Sequence, residues 1–426
     1  MITAFTAALD RRLRAGATAP LAVGFSGGGD SLALLILVLD WARAHGRPVV
    51  SLTVDHQLNP ASPAWTAEAV ARAAALGADA RALAWTGPKP ASGLSAAARA
   101  ARHALLADAA RQAGARVLLL GHTADDLAEA ALMRAEGSTV SDPRDWAPSP
   151  AWPEGRCVFV LRPLLAIRRG EIRDWLRSRG ETWLDDPANA DPKSARARAR
   201  RDLQQANGGA SRTSALPAVP DLRLASSGTT RRSAAAGYLV LPRDAPAAHV
   251  AAACLCAAGT SRPPRGERLQ RLVDRIRAGE VFTATLAGAR IEAGEGVSFF
   301  REPGETRRSG PPPSDPSGRL PHGGRGDLRL PVDQPIVWDG RYELVAAEPG
   351  LAARPLQGLA ARLPPDQRQA LKALPPAARP GLPAVLDPEG GVSCPILAGT
   401  ETTRARCLVV DRFEAATGRV DQEPAT

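Results

Sequence analysis

Ser26-Gly27-Gly28-Gly29-Asp30-Ser31 stands between two apolar runs, Leu21 to Phe25 and Leu32 to Leu39. The order reads as strand, glycine turn, helix. Successive glycines let backbone N–H groups point into one concavity, and the following helix N-terminus adds partial positive charge, so the turn suits a phosphate. A Walker A loop would carry Lys before its last Ser or Thr to reach the β- and γ-phosphates. Here Asp30 precedes Ser31, which points to Mg²⁺ on a pyrophosphate leaving group. Alone, the same six residues also read as a turn with an Asp/Ser helix cap.

Outward from this loop, the first 185 or so residues alternate apolar strand-like runs with helical segments, the pattern of an α/β doubly wound parallel sheet of five strands. Strands are expected near 21–25, 49–55, 79–85, 117–121 and 158–161, and helices near 31–45, 62–76, 95–113, 124–136 and 168–179. The glycine loop, Asp55-His56 and Gly121-His122 then fall at carboxyl ends of strands, where open α/β sheets bind ligands. The Pro/Trp-rich segment 142–155 reads as a surface loop beside that edge, with a lid or RNA-contacting loop as the alternative.

Two low-complexity stretches, 205–236 and 302–327, read as linkers or mobile loops. They imply a catalytic domain over 1–190, a mainly helical middle region over 191–301, a Gly/Pro-rich linker over 302–334 and a small α+β C-terminal module over 335–426. In the middle region Glu267 to Ala278 has a helical pattern, whereas Phe282 to Leu286 and Val297 to Phe300 are β-like.

With 426 residues and 44% hydrophobic content, the chain fills two or three domain cores. No run approaches the roughly 18 apolar residues of a membrane span, and Met1 to Leu13 lacks a signal-peptide core, so a cytoplasmic protein is expected. The five cysteines are odd in number and form no Cys-x-x-Cys pair, which supports neither a disulfide framework nor a zinc ribbon. Cys254 and Cys256, in an Ala-rich run, read as core. The formal charge of +10, mostly from Arg, fits a polyanionic partner, although a GC-rich genome also enriches Arg.

Gly121-His122-Thr123-Ala124-Asp125-Asp126-Leu127-Ala128-Glu129 closes a strand and opens a helix. Asp126 and Glu129 share a face of that helix, as do Asp125 and Glu129; they could bind an ammonium group and help deprotonate it, or simply complement the helix dipole. Arg99 and Arg102 share a face of helix 95–113 beside His103; they are either solvated or placed to stabilise charge on phosphate. The acidic turn Asp185-Asp186-Pro187-Ala188-Asn189-Ala190-Asp191-Pro192 runs into the basic Arg196-Ala197-Arg198-Ala199-Arg200-Arg201.

The six residues of the loop match the SGGxDS signature of the PP-loop ATP pyrophosphatases. Taken in order, Ser26–Ser31, Val54–Asn59, Ala98–His103, Gly121–Ala130, Arg162–Leu165 and Asp185–Asp191 with Arg196–Arg200 resemble the motifs of the tRNA(Ile)-lysidine synthetase family, strongly over roughly 18–200 and more weakly beyond. Where the family pattern has Arg, an aromatic, Thr, Ser and Asn, this chain has Asn59, His103, Ala130, Ala188 and Ala197.

The resemblance implies ligation of free L-lysine to C2 of the wobble cytidine of an isoleucine tRNA with a CAU anticodon, through an adenylated cytidine, with ATP cleaved to AMP and pyrophosphate. It implies that Ser26, Gly27, Gly28, Gly29, Asp30, Ser31, Asp55, His56 and Gly121 bind ATP and that Asp30 holds Mg²⁺. Arg102 and His122 would stabilise the α-phosphate, and Asp126 and Glu129 would bind lysine and assist its deprotonation. Asn189, Arg196, Arg198, Arg200 and Arg201 would contact tRNA, with the target cytosine splayed from its stack. No membrane and no stable protein partner are expected, and a homodimer is left open. The rival readings are a tRNA thiolase sharing the loop, disfavoured by the lack of paired cysteines, and a tRNA-binding protein that has lost catalysis.

Overall fold

The computed structural model describes residues 1–138, 143–184, 198–199, 202–203, 236–304 and 327–425. The chain divides into two compact units, one of Met1–Arg223 with Val420–Thr426 and one of Leu224–Arg419. The acidic turn 185–191, Arg196, Arg200 and Arg201, and nearly all of both low-complexity stretches lie outside the described residues.

The first unit is built on a six-stranded sheet: β1 (Leu21–Gly24), β2 (Val49–Asp55), β3 (Asp79–Ala84), β4 (Val117–Leu120), β5 (Trp146–Pro148) and β6 (Phe159–Leu161), in the order β3-β2-β1-β4-β6-β5. All neighbours are parallel except β5 and β6. The strands β1, β4 and β6 are buried almost throughout, because crossover helices cover both faces of a parallel sheet; their sequences therefore run apolar without alternation. The helices are α1 (Ile2–Arg12), α2 (Gly29–Ala44), α3 (Ser62–Ala75), α4 (Leu94–Gln112), α5 (Ala124–Ala135) and α6 (Arg169–Ser178). Leu32 to Leu39 on α2 is buried on every side, which explains a helix with no polar stripe.

The expected strands and helices coincide with observed ones to within a residue or two. The differences lie at the periphery. Residues 146–148, read as loop, form the antiparallel edge strand β5, whose Trp146 ring stacks on Phe159 at 4.9 Å between centroids. Helix α1 was not anticipated; Phe5 and Leu9 anchor it in the core.

The C-terminal residues 420–425 also belong to this unit. Glu423 receives both Nη groups of Arg47 at 2.8 and 2.7 Å, and each of these side chains is 1% exposed. Its backbone N–H donates to the Arg12 carbonyl at 2.8 Å, and Trp146 Nε1 donates to the Val420 carbonyl at 2.8 Å. Nothing in the local sequence around 423 announces a partner some 376 residues away.

In the second unit, β7 (Leu239–Leu241), β8 (Phe282–Leu286), β9 (Ala289–Ala293) and β10 (Val297–Arg301) form an antiparallel sheet in the order β7-β10-β9-β8. It packs against α7 (Ala247–Ala258) and α8 (Gly266–Arg277), with Cys254 and Cys256 fully buried in the shared core. The middle region, expected to be mainly helical, thus holds a sheet as well. Beyond it two small antiparallel sheets share a second core around Tyr342, Leu344, Leu382 and Cys394.

Candidate active site

The glycine loop leaves β1 and enters α2 with Gly28 as N-cap. Ser31 Oγ donates to the Gly28 carbonyl at 2.8 Å and accepts the Ser26 N–H at 3.2 Å, closing the turn on itself. The first-turn N–H groups of α2 have no intrahelical acceptor, as at any helix start, and they open at the carboxyl edge of the sheet. Gly27 has φ +82°, a conformation that L side chains rarely adopt, and an added Cβ there would lie 2.7 Å from Leu184. Gly121, at the tip of β4, is required for a different reason. A Cβ on it would stand 3.0 Å from the Asp30 carbonyl oxygen and 3.3 Å from Ser31 Cα, so any side chain there pushes β4 and the loop apart by a few tenths of an ångström.

That close approach brings the start of α5 beside the loop. Thr123 and Asp126 form a capping box: Asp126 Oδ2 accepts the Thr123 N–H at 2.8 Å and the Thr123 hydroxyl at 3.0 Å. Asp126 is therefore partly a helix cap. Its other contact is shared with Asp30 and Glu129, because all three carboxylates meet the guanidinium of Arg169, the first residue of α6. Arg169 Nε reaches Asp30 Oδ2 at 2.9 Å, Nη1 reaches Glu129 Oε1 at 3.1 Å and Nη2 lies 3.6 Å from Asp126 Oδ2. Asp125 turns elsewhere, accepting the backbone N–H of Arg169 at 2.8 Å and tying α6 to α5. Burial raises the Asp30 carboxyl above its ordinary value, with Asp126 adding to the rise and Arg169 opposing it. Burial alone would lower Arg169, but the three carboxylates outweigh it and hold the guanidinium charged.

Opposite in charge is a set of arginines from α4 and the end of β6, with His122 beside them at the end of β4. Arg162 Nε donates to His122 Nδ1 at 3.2 Å, and its Nη1 donates to the Arg144 carbonyl at 2.7 Å. Because an arginine Nε always carries its proton, this contact assigns the His122 hydrogen to Nε2. Burial, then Arg99 and Arg102, push Arg162 down to about 10, so it remains charged at neutral pH. His103 is buried among Arg102, Arg99, Arg162 and His122, and among the described residues neither ring nitrogen has a hydrogen-bond partner. His56 is also pushed below its ordinary value, by burial and then by Arg102, with Asp55 opposing.

Of the other residues expected here, Asp55 spends Oδ1 on the Gln57 N–H at 2.8 Å and the Ser62 hydroxyl at 2.6 Å, which makes it a turn-forming residue at the end of β2. His56 packs edge-on to Trp85. Arg198 is helical and exposed. Asn189, Arg196, Arg200 and Arg201 lie outside the described residues. Arg169 and the bond from Arg162 to His122 were not foreseen. Arg162 was visible as part of a motif, and Arg169 follows it at the first turn of the next helix, where a side chain reaches the same sheet edge.

A phosphate loop at the carboxyl edge of a parallel sheet, with an acidic cluster on one side and a cationic one on the other, defines an ATP-using enzyme of the PP-loop type. The family model for the PP-loop domain matches residues 2–207. A tRNA(Ile)-lysidine synthase of Caulobacter vibrioides is 55% identical over 99% of this chain and 98% of its own length. Those of Hyphomonas neptunium, 41% identical over 64% of this chain and 79% of its own, and Brucella anthropi, 35% identical over 75% and 72%, are also similar. The chain belongs to the tRNA(Ile)-lysidine synthase family. Among solved structures, the U34-tRNA thiolase NcsA from Methanococcus maripaludis aligns over 48% of this chain and 72% of its own at 16% identity. Its TM-score of 0.39 is too low to bear on function.

Proposed function

We propose a division of labour among these residues for the reaction of the family, in which ATP drives the ligation of free lysine to the wobble cytidine of tRNA(Ile). The triphosphate of ATP lies along the Ser26–Ser31 loop, its charge met by first-turn N–H groups of α2. The cytosine O2 attacks the α-phosphorus and pyrophosphate leaves. Arg102 and the Nε2–H of His122 stabilise the charge that develops on the α-phosphate oxygens. The ε-nitrogen of lysine then attacks C2 of the adenylated base, AMP departs with the former O2, and the nitrogen sheds its protons. Only the neutral amine has a lone pair, so Asp126 and Glu129 first bind the ammonium and then accept a proton from it. The CAU anticodon, free L-lysine and ATP as co-substrates imply a cytoplasmic reaction.

Asp30 offers a hard carboxylate oxygen at the loop, with Asp126 near enough to raise its carboxyl, a donor set that fits Mg²⁺ carried on nucleotide phosphates. Such an ion would neutralise charge on the leaving pyrophosphate. One observation carries the reading: carboxylates from the phosphate loop and from α5 converge on a single cation.

The test is incorporation of radiolabelled lysine into matched CAU-anticodon tRNAs for isoleucine and methionine. Label is expected in the isoleucine tRNA alone, with pyrophosphate release dependent on both tRNA and lysine. Asp30→Ala is expected to lower that release by about 10²-fold or more. Tight tRNA binding without lysine incorporation by the intact protein would overturn the reading.

A further inference from the structure

We infer that Arg169 is a built-in competitor of the substrate lysine, an internal cation that covers the lysine-binding carboxylates until the substrate ammonium displaces it. The inference rests on the assignment of Asp126 and Glu129 to lysine binding. The geometry supplies the rest. The Glu129 side chain is only 1% exposed, so an ammonium reaches it only if something covering it moves. Arg169 covers it: Nη1 contacts Glu129 Oε1 at 3.1 Å, and the same guanidinium reaches Asp30 and Asp126. Two cations cannot both take those oxygens at contact distance without strong mutual repulsion.

Arg169 is also built to yield. Its backbone N–H is held by Asp125, so α6 stays in place while the side chain changes rotamer. The Arg169 side chain retains 13% exposure, so it is not sealed in the core. Covering the cluster has a purpose of its own, since three adjacent carboxylates, two of them buried, repel one another without a cation. Arg169 thus keeps the pocket formed and sets a threshold that solvent cations do not cross.

A ligand that must displace an occupant binds with an apparent affinity reduced by the fraction of molecules in the open state. If Arg169 occupies the cluster nine times in ten, its removal tightens lysine binding by about tenfold. The experiment is calorimetric titration of L-lysine into the full chain without tRNA. Arg169→Met is expected to lower the dissociation constant by about tenfold, and Arg169→Gln, which keeps a donor toward Asp30 but loses the charge, to act in the same direction. Guanidinium chloride at low millimolar concentration should compete with lysine in Arg169→Met, filling the vacated position, and leave the wild type unaffected. Unchanged or weaker lysine binding in both variants, with their unfolding transitions intact, overturns the inference, because a merely structural arginine gives no gain on removal. Glu129→Gln separates the two levels. If it binds lysine as the wild type does, the assignment of the lysine site fails; if it loses binding while the Arg169 variants show no gain, only the role of Arg169 fails.

Discussion

Replacing His103 by Phe removes a proton linkage that the structure makes one-sided. His103 sits on α4, 5% exposed, with neither ring nitrogen hydrogen-bonded to any described residue. Burial is the largest influence on it, and Arg102, Arg99, Arg162 and His122 add to it; together they push the imidazole down to about 2. In the unfolded chain the same imidazole titrates at about 6.5. Above that pH neither state binds the proton, and below it only the unfolded state does, so this group erodes stability as pH falls from about 6.5 toward about 2. Between about pH 7.5 and pH 5 the loss amounts to about 2 kcal/mol, from about 1.4 kcal/mol per unit of pH once the unfolded imidazole is protonated. Phenylalanine takes up no proton and keeps that stability, and any packing offset from its larger ring is constant with pH. The assay is urea unfolding across this range by tryptophan fluorescence, which reports on the first unit because seven of the eight tryptophans, all but Trp338, lie in it. The difference between the two proteins should grow by about 2 kcal/mol toward acid. Parallel pH profiles would show that folded His103 takes up the proton, and would refute a neutral buried imidazole among arginines.

Arg162→Gln should lower the rate of lysine incorporation by about 10²-fold at saturating ATP, because the His122 proton is no longer fixed on Nε2, whereas ATP binding measured directly should change little. Glu423→Ala strands the Arg47 charge in a site where both side chains are 1% exposed, and should destabilise the first unit by about 3–5 kcal/mol in chemical unfolding. Shortening Arg47 to Ala in the same background should recover part of that loss, since no buried charge is then left unpaired.

The sheet of the first unit was legible because parallel strands covered on both faces leave unbroken apolar runs, and because a glycine turn between two such runs has few other uses. Its periphery was not. Strand β5 is held by the stacking of Trp146 on Phe159 and by a bond to the Val420 carbonyl, and neither leaves a periodic trace in residues 146–148. In the site, spacing placed Asp126 and Glu129 on one face but could not show that Asp126 doubles as the cap of its own helix. Arg169 escaped notice because its importance lies in which carboxylates it meets, a property of three separate segments. Of the departures from the family pattern, Ala188 and Ala197 lie outside the described residues, and Asn59 has a local explanation. Asn59 Oδ1 accepts the Ala61 N–H at 2.9 Å and shapes the entry to α3, a task for a short amide that an arginine would not perform. Ala130 and His103 are both buried side chains.

The same physical reading weighs on the rival sulfur chemistry. A thiolase needs a thiol that ionises readily and lies near the adenylated base, and thiolate character depends on cationic or helix-terminal surroundings. Burial instead pushes Cys254, Cys256 and Cys394 up to about 12 and Cys407 up to about 11, and the fifth cysteine, Cys157, has no second cysteine within three residues to form a Cys-x-x-Cys pair. Cys254 and Cys256 pack inside a core of Val250, Val273, Ile291 and Phe299, where a sulfur serves as a small apolar filler. At the loop itself the groups that meet are carboxylates, and carboxylates recruit a cation. Arg169 holds that place, and in the function proposed above an ammonium takes Asp126 and Glu129 in its stead. A reading in which catalysis has decayed is hard to sustain for the same reason, because Asp30, Asp126 and Glu129 still converge and Arg162 still orients His122.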